Sequence, residues 1–207
     1  MNALLGLSRV IDAVSERIGR FVYWLLLAAV LISTVNAIVR KAFSVGSNAY
    51  LEAQWYLFAT TFMLGAGYVL LHDQHVRIDA LASRWSKTVR AWIEVAGLTL
   101  VLIPMCLVIA WMSLPSLTLA YTSGEVSANP GGLIRWPLYS LVPIGMCLLA
   151  LQALSQLIKE IAFLTGRGED PHGVHEPSAE ELLLEELKRE REAEEAKAPA
   201  LPHGARS

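Results

Sequence analysis

Charge is what this sequence has least of where it matters most. Only 17% of the 207 residues are Asp, Glu, Lys or Arg, against 54% hydrophobic, whereas a soluble domain is near a quarter charged. Residues 21–39, 53–71, 95–124 and 136–158 contain no charged residue at all. About 20 apolar residues carry a helix across a bilayer, so the pattern predicts an all-α membrane protein with four spans, about 21–39, 50–71, 92–114 and 136–158. Cysteine is nearly absent: Cys106 and Cys147 both fall inside these runs and give no disulfide framework. The five histidines (72, 75, 172, 175, 203) all lie outside the spans, which argues against a haem-bearing membrane anchor. The span cores carry no carboxylate, whereas a small proton-coupled exporter wants one well inside its first helix and ion paths are marked by intramembrane charge. There is no phosphate-binding loop, nucleophile elbow or zinc signature. No enzyme activity, metal, cofactor or nucleic-acid partner is therefore expected. A cleaved signal peptide is not expected either, because the first apolar run is of full membrane length and ends in Arg40-Lys41.

The charges that are present orient the chain. Arg9, Arg17, Arg20, Arg77, Arg84, Lys87, Arg90, Lys159 and Arg167 fall on one side of the spans, and Arg40, Lys41 and Arg135 on the other. Nine against three predicts that both termini are cytoplasmic. In residues 1–20 and at their junction with span 1, Leu7, Val10, Ile11, Val14, Ile18 and Phe21 share one helical face, opposite Ser8, Arg9, Asp12, Ser15, Glu16 and Arg17. This predicts a separate amphipathic helix lying on the inner membrane surface. A second is predicted between spans 2 and 3, where Ile78, Leu81, Ala82, Trp85, Val89 and Trp92 form the apolar stripe. Trp85, Trp92 and Trp136 sit where tryptophan anchors at headgroup depth. In span 1, Ala29, Ser33 and Ala37 make a small-residue ridge that would let another helix approach. Ser33, Thr34, Asn36, Thr60, Thr61, Gln152, Ser155 and Gln156 read as interhelical hydrogen-bond partners.

The stretch "LLHDQHVRIDALASRW" (70–85) holds His72, Asp73, His75, Arg77 and Asp79. No further ligands are placed to complete a metal site, so it reads as a polar interfacial segment available to a partner. Glu52 and Glu94 lie near span ends, for headgroups or a partner. "TSGEVSANPGG" (122–132) is a turn-forming connector whose polar groups are expected to be free to meet a partner, with Glu125 the leading contact and Arg135 next. From Gly166 the composition changes to eleven acidic and six basic residues, which predicts an acidic, partly disordered cytoplasmic tail over 166–207.

Three stretches resemble the DctQ family, the small membrane subunit of tripartite ATP-independent periplasmic (TRAP) transporters. "NAYLEAQWYLF" resembles its entry to span 2, with Glu52 as the acidic residue and Trp55 among the aromatics. "GAGYVLLHDQHVRID" resembles the end of span 2, followed by a motif that His75, Val76, Arg77, Ile78 and Asp79 match. "NPGGLIRWPLYSLVPIGMCLLALQALSQLIK" resembles the entry to span 4 in members that serve organic-acid systems. The acidic tail departs from the family's usual short C-terminus. The resemblance implies a multi-pass protein of the bacterial inner membrane that braces a large membrane subunit holding the substrate path and sodium sites. It also implies a periplasmic solute-binding protein that delivers a small organic acid for ion-gradient-driven uptake. Glu52, Trp55, His75, Arg77, Asp79, Glu125 and Arg135 become the candidate partner contacts, and membrane lipid a further partner. Two other readings stay open: a small self-contained dimeric transporter, and a membrane anchor that docks a cytoplasmic partner.

Overall fold

The computed structural model describes residues 2–43, 48–72 and 86–168. The chain divides after Glu169, and the unit Asp170–Ser207 lies outside the described residues, as do the tail's expected features. The four charge-free runs fall in helices: α1 (Asn2–Phe43), α2 (Asn48–Leu71), α3 (Lys87–Gly97) with its continuation α4 (Ile103–Ser123), and α5 (Trp136–Leu164). Among the described residues the only strand-like feature is an isolated antiparallel bridge between Val126 and Ile134. Three stretches, Ala3–Phe43, Lys87–Ser123 and Trp136–Leu164, are long and apolar enough to cross a membrane. At 24 residues α2 is long enough for a fourth crossing, but Gln54, Tyr56, Thr60, Thr61 and Tyr68 dilute its apolar character.

Two expected surface helices take a different form. The N-terminal segment does not end near residue 20, because α1 runs unbroken for 42 residues. Nothing in "SERIGRFVYW" stops a helix: it has no proline, and its one glycine, Gly19, lies against the ring of Tyr68, packed by a neighbouring helix. The polar face expected to meet water is the one that packs inward, with Ser8 and Ser15 buried while Leu7, Val10 and Val14 are exposed. In the second case, most of the predicted helix lies outside the described residues, and the part from Lys87 does not turn back before span 3. Ser86 starts α3 in extended conformation, its hydroxyl accepting a hydrogen bond from the Val89 N–H at 3.4 Å. That helix then continues into α4 through one π-helical stretch, Leu98–Leu102. Pro104, at the start of α4, has no N–H to give back to the preceding turn. The chain widens there, and the Ile103 N–H reaches the Leu98 carbonyl five residues back. α4 also continues past Pro115 to Ser123, so the helix extends beyond the expected span end at residue 114.

α5 is the central helix, packed against α1, α2, α3 and α4, while α1 and α2 also pack on each other. Its inward face carries Gly145, Gln152, Ala153, Ser155, Gln156, Ile158, Glu160 and Ala162. The α2–α5 approach is close enough that a Cβ at Gly145 would sit 2.8 Å from the Met63 Cβ and carbonyl, a helix contact only a small residue permits. Outward faces are apolar: Trp111 is 76% exposed and Phe62 75%.

Candidate functional site

The bundle has two ends, and at each a carboxylate accepts from three donors. At the end where α1 stops and α2 begins, the chain between α4 and α5 folds over as a short clasp. Gly124, left-handed at φ 62°, ends α4 by returning its N–H to the Ala120 carbonyl. The two limbs then pair: the Ser127 N–H reaches the Leu133 carbonyl at 2.9 Å, and the Arg135 N–H the Glu125 carbonyl at 3.0 Å. Gly131, at φ 74°, makes the turn that a side chain would strain. Glu52, buried in the first turns of α2, fixes this clasp. Its Oε1 accepts from the Ser127 hydroxyl and from the Asn129 amide at 2.8 Å, and its Oε2 from the Leu133 N–H at 2.7 Å. The same helix adds Tyr56, whose hydroxyl donates to the Ile134 carbonyl at 3.0 Å, and Asn48, whose amide reaches the Pro130 carbonyl at 3.3 Å. Hydrogen bonds to a carboxylate are about twice as strong as neutral ones, so Glu52 is the centre of the clasp.

Ser127 and Asn129 are therefore not free, as the turn-rich sequence led us to expect; they are spent on Glu52. Glu125 and Arg135, expected as separate partner contacts, meet each other at 2.9 Å across the clasp. That hydrogen bond to Glu125 pushes the Arg135 guanidinium further up from its usual range.

At the opposite end, α1 and α5 meet along a polar seam. The Ser155 hydroxyl donates to Asp12 Oδ1 at 2.7 Å, and the Gln152 amide donates to the same oxygen at 2.9 Å. Lys159 Nζ lies 2.7 Å from Asp12 Oδ2. The directions of the remaining bonds follow from Asp12 being acceptor only. Ser155 gives its proton to Asp12, so Ser8 donates to Ser155 across 2.7 Å. Gln152 spends its amide N–H on Asp12, and its carbonyl accepts from Ser15 at 2.6 Å. Gln152 and Ser155 thus make the interhelical bonds expected of them. Thr34 and Thr60 instead return their hydroxyls to carbonyls four residues back on their own helices. Glu160 is fully buried on the same helix. A neighbouring pair joins α1 to the end of α2, with His72 Nε2 3.4 Å from Glu16 and Arg20 3.6 Å from the same side chain.

His75, Arg77, Asp79 and Trp85 lie outside the described residues. Trp55 and Trp92 are each 61% exposed. Trp136 stands edge-on to Tyr121, with ring centroids 5.6 Å apart, beside an apolar hollow of about 330 Å³ lined by Leu117 and Thr118. The sequence pointed to Glu52 but to none of its three partners, and placed Asp12 on a water-facing surface. Among the described residues no cluster of His, Cys, Asp or Glu is placed to hold a metal ion.

The family model described as "Tripartite ATP-independent periplasmic transporters, DctQ component" matches residues 29–163. No curated protein matches the chain, and neither does any solved structure.

Proposed function

Because this chain belongs to the DctQ family of tripartite ATP-independent periplasmic transporters, we propose that it is the small membrane subunit that braces a large permease subunit. That complex would carry out ion-gradient-driven, binding-protein-dependent uptake of a small organic acid. The observation that carries this reading is the state of the two carboxylates, Glu52 and Asp12, that tie the bundle ends together. Glu52 and Asp12 each already accept from three donors within the chain. A carboxylate so occupied holds structure together and has little capacity left for a coupling ion or a substrate. The apolar outward faces then meet lipid on some sides and the large subunit on another.

In this reading α2 is the fourth span of a multi-pass inner-membrane protein, with both termini in the cytoplasm, as the nine-to-three charge count favours. The Glu52 clasp faces the periplasm, where it gives the solute-binding protein a preformed surface. The Asp12 seam lies near the cytoplasmic headgroups, and the His75–Asp79 stretch contributes to assembly. The test is omission and add-back in proteoliposomes holding the large subunit, with the binding protein outside. Uptake should be absent without this chain and return when it is added. Full uptake without it would refute the bracing role.

A further inference from the structure

The last turn of α1 carries two cations, Arg40 and Lys41. Both are exposed, and among the described residues neither forms an ion pair. One ordinary role is to complement the partial negative charge at a helix C-terminus. They also do something more specific: they line a cleft of about 490 Å³ between the end of α1 and the start of α2. The cleft adds neutral donors to the charges, Ser33 and Asn36 from α1 and Gln54 from α2, over an apolar floor of Ala37 and Leu51. Among the described residues no carboxylate lines it, Glu52 being engaged in the clasp. Next in sequence to the lining residues Ala37, Leu51 and Gln54, the side chains of Ile38, Tyr50 and Trp55 are exposed.

We propose that this cleft binds the phosphodiester headgroup of an anionic phospholipid, with Arg40 and Lys41 on the phosphate and the acyl chains along the exposed apolar surface beside it. Two cations with amide and hydroxyl donors suit phosphate oxygens, and an arginine fork can hold two of them at once. A free phosphate would satisfy the head of the cleft but leave its apolar floor and flank uncovered. A lipid satisfies both. The small residues of α1 that face the cleft are then what make room for a headgroup.

The test is native mass spectrometry of the full-length protein from non-ionic detergent doped with phosphatidylglycerol, with dioleoylglycerol and inorganic phosphate as separate probes. Wild type should retain phosphatidylglycerol, retain no dioleoylglycerol, and hold phosphate only weakly. Each cation near anionic lipid is worth roughly five-fold in binding, so Arg40→Gln with Lys41→Gln should weaken retention more than ten-fold while helical content stays unchanged. The charge-keeping pair Arg40→Lys with Lys41→Arg should retain the lipid, and this guards against loss through misfolding. Equal retention by the neutralised variant would overturn the proposal, as would equal retention of dioleoylglycerol. Phosphate binding as well as the lipid would show a site for the free anion and overturn the lipid assignment. Unchanged lipid retention with lost capture of the large subunit would assign the cations to a protein contact instead.

Discussion

Glu52 and Asp12 stand at opposite ends of the same bundle, and each accepts from three donors. They do different work. Glu52 reaches from a helix into irregular backbone, and its donors are a hydroxyl, an amide and one main-chain N–H. Asp12 reaches from one regular helix to another, and one of its donors is the cation Lys159. The first carboxylate gives a loop its shape; the second sets the register of two helices whose shapes are already fixed. Removing Glu52 should therefore change a conformation, and removing Asp12 should change a stability.

The largest effect is expected at Glu52. Glu52→Ala leaves the Ser127 hydroxyl, the Asn129 amide and the Leu133 N–H without their acceptor. Amide exchange across 125–135 should then speed up by on the order of ten-fold or more, with helix content unchanged. Glu52→Gln keeps one acceptor oxygen and should fall between the two. In a reconstituted system it should lower uptake through poorer complex formation; normal assembly with loss of sodium coupling alone would give Glu52 an ionic role and end the comparison.

Asp12→Ala should be next. It strands a partly buried Lys159 and two hydrogen-bond donors, at a cost of about 2 kcal/mol in detergent unfolding, while exchange in the 125–135 clasp stays as in wild type. A faster-exchanging clasp would show that the two ends are coupled.

Glu125→Lys should have the smallest effect. The Glu125–Arg135 pair is half-buried and still open to water, where such pairs contribute little, so the clasp should keep its protection. The concentration of binding protein needed for half-maximal uptake should rise a few-fold with maximal uptake unchanged. Loss of protection as large as in Glu52→Ala would move the centre of the clasp from Glu52 to this pair.

Much of the helical content and the family were legible in the sequence, because charge-free runs and the three matching stretches are local signals. Glu52 stood out as a lone carboxylate at the edge of an apolar run. Its partners did not, since Ser127 and Asn129 are the ordinary residues of any turn and nothing local distinguishes a turn's own polar group from one reserved for a residue some 75 positions away. The N-terminal segment failed in a related way. Helical spacing correctly grouped Ser8, Asp12 and Ser15 on one face, but spacing tells which residues travel together and not what they meet. The complementary stripe, Gln152, Ser155 and Lys159, lies about 140 residues further on. The expected span 92–114 already ran through Pro104, but the spacing of apolar residues did not show that the helix beginning at Lys87 enters that span without a turn, a single widened turn absorbing the proline.

The claim that this chain braces a larger membrane partner is tested most directly by affinity purification of the tagged full-length protein from its own membranes in mild detergent. The account predicts recovery of a large multi-span subunit in fixed ratio, reduced when Glu52 is replaced by Gln. Recovery of the chain alone, as a homodimer that transports by itself in liposomes, would contradict it.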